Sequence, residues 1–252
     1  MPIKTYFKLK NNIHENWEDF KYRLSNVEYM ENIVAITGQL KDKKFQTMLE
    51  VGCYPGHSTE YYLKNLSVAK FYAVDYSEEL LGRARLMGVD AHACDLEKDK
   101  LPFKDNFFDL VVANQVFEHL KNIFSPLSEM HRVLKPGGVL VFSVPNLASF
   151  HSRLLLCGKS PTQIRLWGDH VRGFTKDELK PFLLHNGLFT MVAEKGIGYY
   201  PLPLFLSRFL SKIFPNAAVY ITFFLKKNEN NGQSNWEVCV RERESASNFL
   251  PI

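Results

Sequence analysis

One short pattern constrains this chain more than any other. Met48-Leu49-Glu50-Val51 is an apolar run with an acid inside it, and it reads as a buried strand. Gly52-Cys53-Tyr54-Pro55-Gly56 turns the chain, and His57-Ser58-Thr59 opens a helix whose apolar face begins with Tyr61, Tyr62 and Leu63. A strand, a glycine turn and a helix start bring unpaired backbone N–H groups to one edge of a sheet, where glycines let the backbone approach a ligand closely. A dinucleotide fingerprint needs glycine at the first, third and sixth loop positions. Counted from Gly52, those positions hold Gly52, Tyr54 and His57, so the fingerprint fails. The pattern that fits is acid-x-Gly-x-x-x-Gly on Glu50, Gly52 and Gly56, against the plainer reading of an ordinary strand-to-helix turn.

The 252 residues suffice for one large α/β domain and are few for two. A net charge of +4, scattered along the chain, does not argue for nucleic acid. The four cysteines (Cys53, Cys94, Cys157, Cys239) lack metal-type spacing and read as free thiols of a reducing compartment. The first residues show no signal-peptide core and no apolar run is long enough to span a bilayer, so the expectation is a cytoplasmic protein.

Residues up to about Asp42 have helical, amphipathic spacing (Phe20, Leu24, Val27; Tyr29, Ile33, Ile36) and nothing chemically distinctive. They either pack on the sheet or close over a substrate, with packing ahead. Lys70–Val74 reads as a second strand ending on Asp75, and Ser77 stands as N-cap of the next helix. Asp75 lies 75 − 56 = 19 residues past Gly56, where an acid at the end of the second strand of a βαβ unit can accept from ribose hydroxyls; helix capping is the alternative. Val89–Ala93 is a third strand leading to Asp95 and Leu96. An apolar fourth strand ends at Ala113-Asn114, and a helix with Leu127, Met130 and Val133 stops at Lys135-Pro136-Gly137-Gly138. Val139–Val144 is a fifth strand.

With FFDLVVANQVFEHL and HRVLKPGGVLVFSVPN added to the loop, residues from about 47 to 146 resemble class I S-adenosylmethionine-dependent methyltransferases, and among them the group of ubiquinone and menaquinone biosynthesis enzymes. The resemblance implies a Rossmann-like three-layer α/β/α sandwich, with a seven-stranded, mostly parallel sheet whose last strand is antiparallel. Phe189–Ala193 and Val219–Leu225 supply strands six and seven, with a helix Lys176–Asn186 before the sixth. The cofactor implied is S-adenosylmethionine, bound around Glu50, Gly52, Cys53, Tyr54 and Gly56, by Asp75 and Tyr76 at the ribose, by Asp95 and Leu96 at the adenine, and by Asn114. Two departures stand out. Tyr54 occupies a position often held by glycine, and Gln115 stands where a further acid would support the cation that some quinone-pathway relatives hold, so no metal is expected.

Glu118 and His119 follow the fourth strand. They are the candidates for a general base toward a hydroxyl or acidic carbon, or they only pin the pocket. The expected layout is an N-terminal helical segment (1–46), a methyltransferase domain (47–226) and a polar tail (227–252) with a short strand at Trp236–Val240. Two inserts, about 147–175 and 196–215, form the substrate side. In the first, Trp167–Thr175 resembles the His-x-x-x-Phe-Thr segment of these enzymes. It offers His170 and Arg172 to an acceptor, while Thr175 caps the helix after it. The second carries Phe205, Leu206, Phe209, Leu210, Ile213 and Phe214 on one helical face and Ser207, Arg208, Ser211 and Lys212 on the other. A lid over the site is expected, with membrane contact through 202–214 as the sharper alternative. The reading is methyl transfer, O- or C-, to a small-molecule or lipid- or glycan-linked acceptor. The rivals are a fold retained without turnover or working with a partner, a nucleic-acid methyltransferase and a nicotinamide oxidoreductase. Asn114-Gln115-Val116-Phe117 in place of a proline-aromatic base-binding motif disfavours nucleic acid.

Overall fold

The computed structural model describes residues 17–53, 57–161 and 169–229. In chain order the elements are α1 (Trp17–Leu40), β1 (Lys44–Val51), α2 (His57–Asn65), β2 (Ser67–Asp75), α3 (Glu78–Leu86), β3 (Asp90–Ala93), β4 (Phe108–Asn114) and α4 (Phe124–Val133). There follow β5 (Leu134–Pro145), α5 (Phe150–Leu156), α6 (Lys176–Leu183), β6 (Phe189–Ile197), α7 (Leu204–Ile213) and β7 (Tyr220–Lys227). The strands form one seven-stranded sheet in the order β3-β2-β1-β4-β5-β7-β6, with β7 antiparallel to both neighbours. This is the expected three-layer α/β/α sandwich.

Alternation along the strands builds the layers. Leu49 and Val51 of β1, Val111 and Ala113 of β4, and Leu140, Phe142 and Val144 of β5 face one way, onto Leu127, Met130 and Val133 of α4 and Leu179 and Leu183 of α6. Their neighbours Met48, Leu110, Val112, Val139 and Val141 face the other way, onto α1 (Ile33, Ile36, Leu40), Tyr62 of α2 and Leu81 and Ala84 of α3. Strands covered on both faces need apolar residues at consecutive positions, which is why β4 and β5 read as unbroken runs. Helix α1 thus supplies part of this core.

Several local expectations change. The helix expected to stop at Lys135–Gly138 ends at Val133, and the fifth strand, expected from Val139, begins at Leu134, where a bulge lets Leu134 pair with Phe108 and Val139 with Leu110. Ser77 and Thr175 occupy N-cap positions, but neither side chain makes the capping bond. The Asp75 carboxylate takes the Ser77 backbone N–H instead (3.0 Å). The helix expected over Lys176–Asn186 ends at Leu183, and a 3₁₀ turn covers His185–Gly187. Lys227, assigned to the tail, is the buried end of β7, its ammonium donating to Asn106 Oδ1 and to the His131 and Leu134 carbonyls (2.7–2.9 Å). Trp236–Val240 lies outside the described residues, and among those described no helix is long and apolar enough to cross a membrane.

Candidate active site at the carboxyl edge of the sheet

The strand order reverses between β1 and β4, whose carboxyl ends are where an open α/β sheet leaves a crevice. Two loops meet there. Gly52 closes β1 with φ +74°, its N–H on the Val74 carbonyl (2.9 Å), and a Cβ at this position would lie 2.7 Å from Val116 Cγ2. Glycine is required twice over, by backbone conformation and by the side chain packed on it. Across the crevice, Gln115 takes φ +59°, unusual for a residue with a side chain, and is held by its N–H on the Ser143 carbonyl. Tyr54 and Gly56 lie outside the described residues.

Beside this crevice β2 delivers Asp75. It is buried, and desolvation raises its pKa while backbone N–H groups of Ser77, Cys53 and Tyr76 work against the rise. Tyr76 next to it is 82 % exposed, an open aromatic face beside a carboxylate. Asp95 reaches the same edge, since the Cys94 N–H donates to the Asp75 carbonyl (2.9 Å). Its own carboxylate is already engaged, by Lys98 (2.6 Å) and the Glu97 N–H (3.0 Å). Leu96 packs on the core beneath. Glu50 is fully buried, accepts from Thr59 Oγ1 (2.5 Å), and is pushed up to about 7 by desolvation. It therefore ties β1 to α2 and braces the loop from below. Burial likewise pushes the Cys53 thiol up to about 12, leaving its backbone as the useful part.

Beyond β4, a 3₁₀ turn at Phe117–His119 presents Glu118 and His119. The Glu118 carbonyl accepts from the N–H groups of Val171 (2.8 Å) and Arg172 (3.2 Å), which straps the first insert across the turn. His170 arrives with this strap, its ring 4.9 Å from that of His119. His119 Nδ1 lies 3.0 Å from the Asp169 carbonyl, which can only accept, so Nε2 is left as the basic nitrogen. That Nε2 stands 4.0 Å from Glu118 Oε1. Glu118 is 1 % exposed, its Oε2 has no partner, and desolvation pushes it up to about 8. His170 Nδ1 is also buried and unpartnered, and burial holds its pKa down. Glu118, His119 and His170 offer ligand atoms within 4.8 Å of one another, a set of a type that could also hold a divalent ion. Arg172, expected to face the acceptor, has Nη2 fixed to the Lys121 carbonyl (2.8 Å) and so serves the strap.

Helical spacing alone carried little warning of what α1 contributes. Asn32, buried among its apolar positions, donates to Asn114 Oδ1 (2.7 Å) and Ser143 Oγ (2.8 Å) and accepts from Thr222 Oγ1 (2.9 Å), locking α1 to β4, β5 and β7. Asn114 is thereby turned toward the helix, and its Nδ2 has no partner. The same helix brings Glu28, raised to about 8 by burial, and Tyr29, raised to about 12 by burial and by Glu50 and Glu118. The one legible signal was an asparagine at a position whose helical neighbours Ile33 and Ile36 are core residues.

A family model for the methyltransferase domain matches residues 49–142, the span that contains the Gly52 turn, Asp75, Asn114 and Glu118–His119. Residues 49–142 thus form a class I S-adenosylmethionine-dependent methyltransferase domain. This methyltransferase is 28 % identical over 122 residues to malonyl-[acyl-carrier protein] O-methyltransferase of Enterobacter lignolyticus, covering 48 % of each chain. It is 30 % identical over 145 residues to the ubiquinone/menaquinone biosynthesis C-methyltransferase of Coxiella burnetii, covering 54 % of this chain and 52 % of that one. It thus spans about half the length of the curated relatives it matches. The N-methyltransferase NodS of Bradyrhizobium japonicum, solved with S-adenosyl-L-homocysteine, shares the fold at a TM-score of 0.56 and 17 % identity, over 84 % of this chain and 98 % of that one. S-adenosylmethionine is the cofactor of this family. The residues present fit it: a glycine at the crevice whose conformation and close neighbour exclude a side chain, a buried acid at the end of β2, and an exposed aromatic beside that acid.

Proposed function

We propose that this methyltransferase methylates a hydroxyl or acidic carbon of a small-molecule acceptor, including one carried on a lipid or glycan, using S-adenosylmethionine. The observation that carries the reading is the meeting, at one sheet edge, of the Gly52–Asp75 side and the Glu118–His119–His170 group. When bound, the cofactor supplies an electrophilic methyl on a sulfonium. Gly52, Asp75 and Tyr76 are assigned to hold its nucleoside end. His119 is the residue assigned to take the acceptor's proton, because its Nδ1 is committed to the Asp169 carbonyl and Nε2 is free to accept. Glu118, uncharged over most of the neutral range, keeps the pocket without its negative charge. The strap of residues 169–172 covers this side and limits water.

Titration calorimetry with S-adenosylmethionine and S-adenosylhomocysteine tests the first half. The parent is expected to bind both. Asp75→Ala, losing charge-assisted bonds to the ribose, is expected to weaken both roughly 10- to 100-fold with the thermal transition preserved. Unchanged affinity in that variant removes the assignment. For the second half, His119→Gln should lower kcat about 100-fold at unchanged cofactor affinity, with malonyl thioesters and demethylated quinones as the first acceptors tried.

A further inference from the structure

The helix α7 keeps Leu206 and Leu210 half-buried but turns its phenylalanines outward. A lid or core helix would turn Phe205 and Phe209 inward and leave its serines in water. The opposite is found. Ser207 is the buried residue, its Oγ accepting the Tyr199 N–H (2.8 Å), and Ser211 Oγ is buried as well. Phe205 is 77 % exposed and Phe209 57 %, with Ile213 and Phe214 exposed beyond them. Positions 205, 209 and 213 recur every four residues and so form one stripe along the helix. Arg208 and Lys212 form the adjoining stripe, both exposed.

A second apolar surface lies beside the first. Helix α5 exposes Phe150, Leu154 and Leu156. The His151 ring packs on that of Tyr200 just before α7 (5.5 Å), and the Tyr199 hydroxyl donates to the Phe214 carbonyl (2.5 Å). Both helices follow the carboxyl ends of their strands, β5 and β6, and therefore stand on the side of the molecule that carries the crevice. Single exposed apolar residues are ordinary, but two adjacent helices turning such side chains outward mark an interaction surface.

Charge says which partner fits. Residues 150–161 and 199–217 contain Arg153, Lys159, Arg208 and Lys212 and no acid at all. The neighbouring acids are already neutralised: Glu31 is paired bidentately with Arg208 (2.6 and 2.8 Å), and Glu194 with Lys176 and Lys180. Bulky apolar side chains flanked by basic ones that can reach past them are the pattern of a helix lying in a lipid–water interface. An anionic headgroup layer would receive Arg153, Lys159 and Lys212 while the phenylalanines enter the acyl boundary. We propose that the α5–α7 face docks this methyltransferase on an anionic lipid surface, with the crevice toward the membrane side. The docking rests on this surface alone and deepens the functional reading by naming how a lipid-borne acceptor would be met.

The test is cosedimentation of the full chain with vesicles of phosphatidylcholine, with and without phosphatidylserine. Binding is expected only with phosphatidylserine, and is expected to fall at high salt. The double substitution Phe205→Ser, Phe209→Ser should reduce the bound fraction tenfold or more, and Lys159→Glu with Lys212→Glu should do likewise. Cofactor affinity by calorimetry should stay unchanged in both, which separates loss of docking from loss of the methyltransferase site. Three results overturn the proposal: no binding to either vesicle, binding untouched by the phenylalanine substitutions, or a concentration-dependent dimer in sedimentation velocity that the same substitutions abolish. The last would make a second copy of the chain the occupant.

Discussion

The replacement Glu118→Gln removes one ionisation from the pocket and almost nothing else, because the two side chains have nearly the same shape. Glu118 is 1 % exposed, has no cation beside it, and is pushed from its ordinary 4.5 to about 8 by desolvation. The sign follows from linkage. The folded state prefers the protonated acid, so the contribution of Glu118 to stability is full below pH 4.5 and is lost as the pH rises through about 8. A displacement of that size corresponds to roughly 5 kcal/mol. Glutamine has no such loss. The stability difference between variant and parent should therefore grow in the variant's favour by roughly 4 kcal/mol between pH 5 and 9, or about 8–16 °C in Tm for a domain of this size. Glu28 and Glu50 carry the same sign of pH dependence, but they are present in both proteins and cancel in the difference. Urea or thermal unfolding at several pH values, without cofactor, reads it. A difference that stays constant across the range would refute the reasoning, since it would mean that Glu118 ionises normally in a wet or cation-bearing pocket.

Three further outcomes are expected. Gly52→Ala should cost roughly 2–4 kcal/mol, part from φ +74° and part from the 2.7 Å approach to Val116; Val116→Ala in the same chain should restore only the second part, as denaturant titration of the single and double variants would show. Lys227→Met should destabilise by roughly 2–4 kcal/mol, because it strips the donor from two buried carbonyls as well as from Asn106; a change below about 1 kcal/mol would mean water replaces the ammonium. Dialysis against a chelator should leave methyl transfer and Tm unchanged, since His119 acts with its own Nε2; lost activity restored by a divalent ion would instead assign Glu118, His119 and His170 to a metal.

Much of this was local and therefore legible. Strand alternation, the Gly52 turn, an acid 19 residues past Gly56 and the Glu118-His119 pair are fixed by backbone sterics and by short-range spacing, which a sequence displays directly. Together with the family resemblance they implied the layer architecture and a seven-stranded, mostly parallel sheet, while the order of the strands came only from the fold itself. What the sequence could not display was which groups from distant segments meet. Asn32 joins Asn114, Ser143 and Thr222 across separations of 82 to 190 residues, and His170 reaches Glu118 only because the first insert is strapped to the 3₁₀ turn. Desolvation, which sets the charge of Glu28, Glu50 and Glu118, is a property of that packing and not of the residues themselves. Amphipathic spacing in 204–213 fixed that α7 has an apolar stripe, yet it carries no sign for inward or outward. The direction was decided by tertiary structure: the Ser207 hydroxyl on the Tyr199 N–H and the pairing of Arg208 with Glu31 set the serines inward and leave the phenylalanines to whatever meets that face.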